Sequence, residues 1–156
     1  MTQPAATSRQ KSSARLHAVQ AVYQMLVTGQ DAAEAMAGHA ETVQAAPEPE
    51  MQGLPRPADD LYRRIVSGVE RLRGELSPVL QNHLKKGVAV SVMSETEPLL
   101  FAILLTGAYE LMSHLDIDAP IIINDYVQVT KSYYDGGEPQ MVNAVLDQIK
   151  KLYRPG

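Results

Sequence analysis

Leu99–Met112 reads LLFAILLTGAYELM, and apolar groups fall on every face of the helix it would form. A helix with no polar face must be enclosed by others, so this stretch predicts an all-α bundle built around it. Its length falls short of the roughly 20 residues that span a bilayer, and it carries Glu110. The expectation is a soluble, cytoplasmic protein with no membrane partner. A carboxylate at Glu110 needs a partner on a neighbouring helix, as does Asp147 further on.

Downstream, Asp116 to Pro120 reads as a loop. Ile121 to Tyr134 carries two stripes, Ile122/Tyr126/Val129/Tyr133 and Ile123/Val127/Thr130/Tyr134. Ile121–Ile123 alone suits a strand, but the spacing that follows supports a helix. Gly136-Gly137 breaks it. A last helix over 139–152 should bury Met141, Val142, Val145, Leu146, Ile149 and Leu152.

Upstream, Ser94 or Thr96 followed by Glu97-Pro98 starts the apolar helix. Residues 88–93 (VAVSVM) are β-branched, but no second strand is at hand, so they read as a helix-flanking connector. Leu61, Ile65, Val69, Leu72 and Leu76 define a strong helix from about Ala58. Ser77-Pro78 then marks a new helix or a kink, and Gly87 ends that element. Residues 29–57 form an Ala/Pro-rich segment: a weak helix over 31–44, then a loop or mobile stretch. Ser8 caps a first helix to about Thr28, with Leu16, Val19, Tyr23 and Leu26 on one face. Residues 1–7 read as a disordered tail. The sum is one domain over 8–153 with six or seven helices, in two sub-bundles at roughly 8–84 and 94–153.

Composition narrows the function. The 156 residues are 45% hydrophobic, which excludes wholesale disorder, and the absence of cysteine excludes disulfides and thiolate chemistry. The net charge of −4 excludes a uniformly basic nucleic-acid binder. The charges are segregated, however. Residues 1–28 hold Arg9, Lys11 and Arg15 and no acid, a basic head on an acidic body that suits a polyanion. No phosphate-cradling glycine motif and no nucleophile elbow occurs. His17, His39, His83 and His114 lie at no helical spacing from one another, so no metal face is written locally and each reads as structural. Asp59-Asp60 reads as charge at a helix N-terminus. Neither an enzyme nor a cofactor is expected.

Four segments in series resemble the NusB family of bacterial transcription antitermination factors. Ala14-Arg15 with Ala18-Val19-Gln20-Ala21-Val22-Tyr23 is similar to its A-R-x-x-A-x-Q-A-L-Y. Gly107-Ala108-Tyr109-Glu110-Leu111 resembles A-x-Y-E-L, and Ile123-Asn124-Asp125 through Lys131 resembles I-N-E-A-[IV]-x-L-A-K. Met141 to Asp147 is similar to F-V-N-G-V-L-D. The resemblance implies two small perpendicular helix bundles and no catalysis. It implies partnership with NusE, a small-subunit ribosomal protein, in binding single-stranded boxA RNA of ribosomal RNA leaders, within a complex that lets RNA polymerase pass terminators.

The resemblance also implies where RNA would be held. Arg9, Lys11 and Arg15 fall at the family's arginine-rich motif, and Lys131, Tyr133, Tyr134, Met141 and Asn143 at its further contacts. Tyr23 falls at a partner contact. Aromatic rings beside cations suit unstacked bases. Tyr126 and one of Tyr133 and Tyr134 are expected in the core, the other exposed. The sequence departs from the family at Lys11-Ser12-Ser13, where consecutive arginines are common, at Leu105 for arginine, Met141 for an aromatic and Ala144 for glycine. Two alternatives stand beside this one: an RNA-binding module related to ribosomal RNA cytosine methyltransferases, and an interaction module without RNA binding. The first needs a methyl-donor domain that this sequence lacks, and a start at Met1 and a full last helix are expected of a whole protein. A homodimer is left open.

Overall fold

The computed structural model describes residues 5–45 and 57–154. Among them are seven helices and no strand: α1 (Ser8–Thr28), α2 (Ala32–Ala45), α3 (Asp59–His83), α4 (Val90–Thr96), α5 (Pro98–Ser113), α6 (Ala119–Tyr133) and α7 (Glu138–Tyr153). None is long and apolar enough to cross a membrane.

The axis of the molecule is α5. Every residue from Leu100 to Leu111 is buried, and α1, α3, α4, α6 and α7 all pack against it. One continuous cluster of buried side chains draws on all seven helices. Burial on every face leaves α5 no exposed stripe, so its neighbours supply the amphipathic faces. On α3 the inward stripe is Leu61, Ile65, Val69, Leu76 and Leu80, and on α7 it is Val142, Val145, Leu146 and Ile149.

Several ends and joints differ from expectation. Thr7, not Ser8, caps α1: its hydroxyl accepts from the Gln10 N–H at 3.1 Å while the Gln10 side chain accepts from the Thr7 N–H at 2.9 Å. Asp31 and Glu34 exchange a similar pair of bonds at the start of α2. Ser77-Pro78 starts no new helix. α3 runs through it to His83, because a proline costs one intrahelical bond and the stripe on either side keeps α3 seated on the core. Gly87 does not end α3 but makes the turn after it, at φ +93°. The connector at 88–93 is largely helical, as α4, with Met93 anchored in the core. Leu152 is exposed rather than buried, since the α7 stripe ends at Ile149. Of the predicted tail, residues 5–7 are described and lie outside any helix, with Thr7 extended, and the Pro-rich stretch over 46–56 lies outside the described residues.

Arg154 closes the bundle. Its guanidinium donates to the carbonyls of Leu111 (2.9 Å), His114 (2.6 Å), Glu110 (3.3 Å) and Ile117. They include that of Leu111, in the last turn of α5; the Glu110 carbonyl it also reaches already accepts from the His114 N–H at 2.8 Å.

Candidate nucleic-acid interface

The exposed head of α1 lies along α6. Between them runs a groove of about 370 Å³ lined by Ser8, Arg9, Ser12, Ser13 and Leu16 from α1 and Asp125, Gln128, Val129 and Ser132 from α6. It adjoins a second hollow of about 400 Å³ that adds Lys11, Arg15, Ile117, Pro120, Ile121 and Asn124. Helix periodicity explains the lining. Ser8, Ser12 and Leu16 recur every four residues on one face of α1, and Asp125, Val129 and Ser132 share a face of α6 at spacings of four and three. Leu16 and Val129 give the groove an apolar side, and serine, glutamine and aspartate its hydrogen-bonding edge.

Arg9, Lys11, Lys131 and Asn143 are all exposed. Lys131 sits in the last turn of α6 beside the groove-lining Ser132. Tyr133 is 40% exposed, and its hydroxyl accepts from Gln20 Nε2 at 3.0 Å, which ties the ring to α1. Tyr126 is fully buried and Tyr134 partly buried against the core, so the division expected of the three tyrosines holds. Burial raises the Tyr134 phenol, with Glu97 and Glu138 adding to it. Met141 is half-buried at the start of α7 and packs on the core. Tyr23 lies elsewhere, near the end of α1, beside Leu26, Val27, Arg73, Ser94, Glu95 and Pro98.

Arg15 does not stand with the exposed cations. It is 1% exposed and held by two carboxylates. Its Nε donates to Glu110 Oε2 at 2.7 Å and an NH2 proton to Oε1 at 3.1 Å, a bidentate fork; NH1 donates to Asp125 Oδ2 at 2.8 Å. Ser12 Oγ donates to the same Asp125 oxygen at 2.9 Å. Glu110 also accepts from Tyr126 Oη at 2.6 Å and His114 Nδ1 at 3.0 Å. Arg15, expected among the phosphate contacts, is thus turned inward by α1 onto α5, where an unpaired guanidinium would be costly and Glu110 answers it. Burial by itself would raise the Glu110 carboxyl. Hydrogen bonds from His114 and Arg15 and the Arg15 charge outweigh it and hold the group below the usual carboxylate range. Burial opposes the Arg15 charge in turn, and Glu110 more than compensates. Tyr126 is raised well above 10, by burial first and by Glu110 second.

The need for a partner at Glu110 was visible in the sequence, though the partner was not. Asp147 differs from that expectation: its partner is Lys151, one turn on and at the surface, at 3.2 Å. The histidines, isolated in sequence, are not all isolated in space. His17 Nδ1 and His39 Nε2 lie 2.5 Å apart across α1 and α2. Burial, and then His39, lowers His17 to about 4.

The chain matches the model of the NusB family over residues 12–151. This chain belongs to the NusB family. Similar relatives include the transcription antitermination protein NusB of Rhizobium rhizogenes, 35% identical over 151 residues, and that of Rhizobium meliloti, 36% identical over 152. In both cases 97% of this chain and 92% of the relative are covered. Among solved structures, T. maritima NusB superposes with a TM-score of 0.73 at 19% identity, covering 99% of this chain and 96% of that one. The NusB fold thus accounts for the all-α architecture. Within it, Leu105, the position where arginine is common in the family, is fully buried here.

Proposed function

We propose that this protein acts in transcription antitermination by holding single-stranded boxA-type RNA of ribosomal RNA leaders in the α1–α6 groove, together with NusE, so that RNA polymerase reads through terminators. The observation that carries this reading is the meeting of the α1 head and the α6 end in one groove: Arg9 lines it, Lys11 lines the adjoining hollow, and the exposed Lys131 and Tyr133 flank the groove-lining Ser132 in sequence. The names of the relatives support the general role. Cations supply phosphate contacts, an exposed phenol supplies a stacking platform, and Asn143 and the groove amides and hydroxyls supply edge hydrogen bonds. Tyr23 and the apolar Leu26 and Val27 beside it are the surface assigned to NusE. The protein is read as a cytoplasmic binding component without catalysis.

The test is a titration of protein, with and without NusE, against a short boxA RNA. Binding should tighten with NusE and fall with salt, with a slope of log affinity near −2 for about three phosphate contacts. Replacing Tyr133 by alanine should cost about 1–3 kcal/mol of binding. Equal affinity for a scrambled RNA would defeat the reading and leave an interaction module without RNA specificity. The burial of Arg15 favours that second outcome to the extent that it leaves the head two exposed cations rather than three.

A further inference from the structure

A second basic cleft, of about 460 Å³, opens between α3 and the end of α5 and shares no lining residue with the α1–α6 groove. Arg63, Arg64, Ser67 and Arg71 of α3 form one wall; Tyr109 and His114 form the other. Arg63 and Arg64 lean on Asp59 and Asp60, one turn back, at 2.9 and 3.8 Å, and all four side chains are more than half exposed. Arg71 is exposed and has no ion-pair partner among the described residues. Tyr109 reaches this wall because residue 68 is glycine: a Cβ there would lie 2.1 Å from the phenol Cζ.

His114 is the unusual member. It is 2% exposed, and its Nε2 is buried with no hydrogen-bond partner among the described residues; such atoms are rare in folded proteins. Its Nδ1 faces Glu110 Oε1 at 3.0 Å. A carboxylate only accepts, so Nδ1 donates to it. The ring, edge-on to Tyr109 with 5.1 Å between centroids, backs a cleft walled by guanidinium groups.

We propose that the α3–α5 cleft is an oxyanion site for a phosphate group, distinct from the RNA groove. Guanidinium forks match the oxygens of phosphate, and Ser67 adds a hydroxyl donor. A backbone phosphate of a nucleic acid and a free phosphate share this chemistry.

Sulfate is the first probe, because it is a dianion at neutral pH. Its addition to the protein is followed by NMR of the His114 ring and the arginine Nε–H groups. The expected result is saturable shifts at His114, Arg64 and Arg71. The R64A/R71A double variant alters only exposed side chains and should weaken binding about tenfold, equivalent to about 1.4 kcal/mol. R9A should leave it unchanged. Linear, unsaturated shifts, or equal affinity in R64A/R71A, would overturn the proposal. Inorganic phosphate and a short RNA are then compared in an R9A/K11A background. A stronger response to RNA assigns the cleft to a nucleic-acid backbone, and a response to inorganic phosphate alone assigns it to a small phosphate ligand.

Discussion

Arg9 and Arg15 sit six residues apart on one helix and do opposite work. Arg9 is exposed at the groove, and its charge is available to a ligand. Arg15 is buried, and its charge is consumed by Glu110 and Asp125. A tally of basic residues treats them alike. Six residues is about one and two-thirds helical turns, which carries the second arginine from the open side of α1 to the side facing α5. The lesson is that the cationic strength of a basic head depends on helical phase as much as on composition.

The sharpest way to break this comparison is to remove each arginine in turn. R15A strands Glu110 in the core and should cost about 3–5 kcal/mol, read as a lower midpoint in urea. R9A should leave that midpoint within about 0.5 kcal/mol and weaken RNA binding instead. Equal stability of the two variants would erase the distinction.

A second prediction concerns the buried His17 and its half-buried partner His39. His17 is lowered from 6.5 to about 4, by burial first and then by His39, and His39 is lowered by burial. The unfolded chain therefore binds more protons between these values. The stabilising contribution is complete above about pH 6.5 and is lost as pH falls toward 4, by up to about 3 kcal/mol. Glu110, also lowered, extends the loss to more acid conditions. Melting curves from pH 7 to 4 should show a steep decline that H17Q/H39Q flattens, and an unchanged slope in that variant would sink the assignment.

A smaller effect is expected at Gly68. G68A places a methyl group against the buried Tyr109 ring and should cost about 1–3 kcal/mol by thermal melting. G74A, on the same helix with open space around it, should be neutral or slightly stabilising.

How much of this was legible in the sequence follows the range of the interactions. The enclosed helix at 99–112 announced itself, because burial on all faces is a local property of the string. The stripe on α3 is equally plain, but proline reads locally as a new helix or a kink, and at Pro78 that local chemistry yields to a stripe that continues α3 through it. Leu152 shows the opposite case, since an apolar residue in register is buried only if a neighbour is there to cover it. In the groove, Arg9, Lys11, Lys131 and Tyr133 could be picked out by chemical type and by resemblance to NusB. Ser12, Gln128 and Ser132 could not, because their role comes only from the packing of α1 on α6. Arg15 joins Glu110 across 95 residues of sequence, and nothing near Arg15 signals that pairing. His17 and His39 meet across 22 residues by the same kind of long-range closure.

The ion pair at Arg15 has a consequence for the residues ahead of it. Because α1 is one unbroken rod from its Thr7 cap through Arg15, clamping the middle of the rod also fixes the direction of its first turn. Arg9 and Lys11 are thus held out on a stiff mount rather than on a loose tether. A strand arriving at the groove meets a surface already shaped, and little conformational entropy of the protein backbone is surrendered on capture.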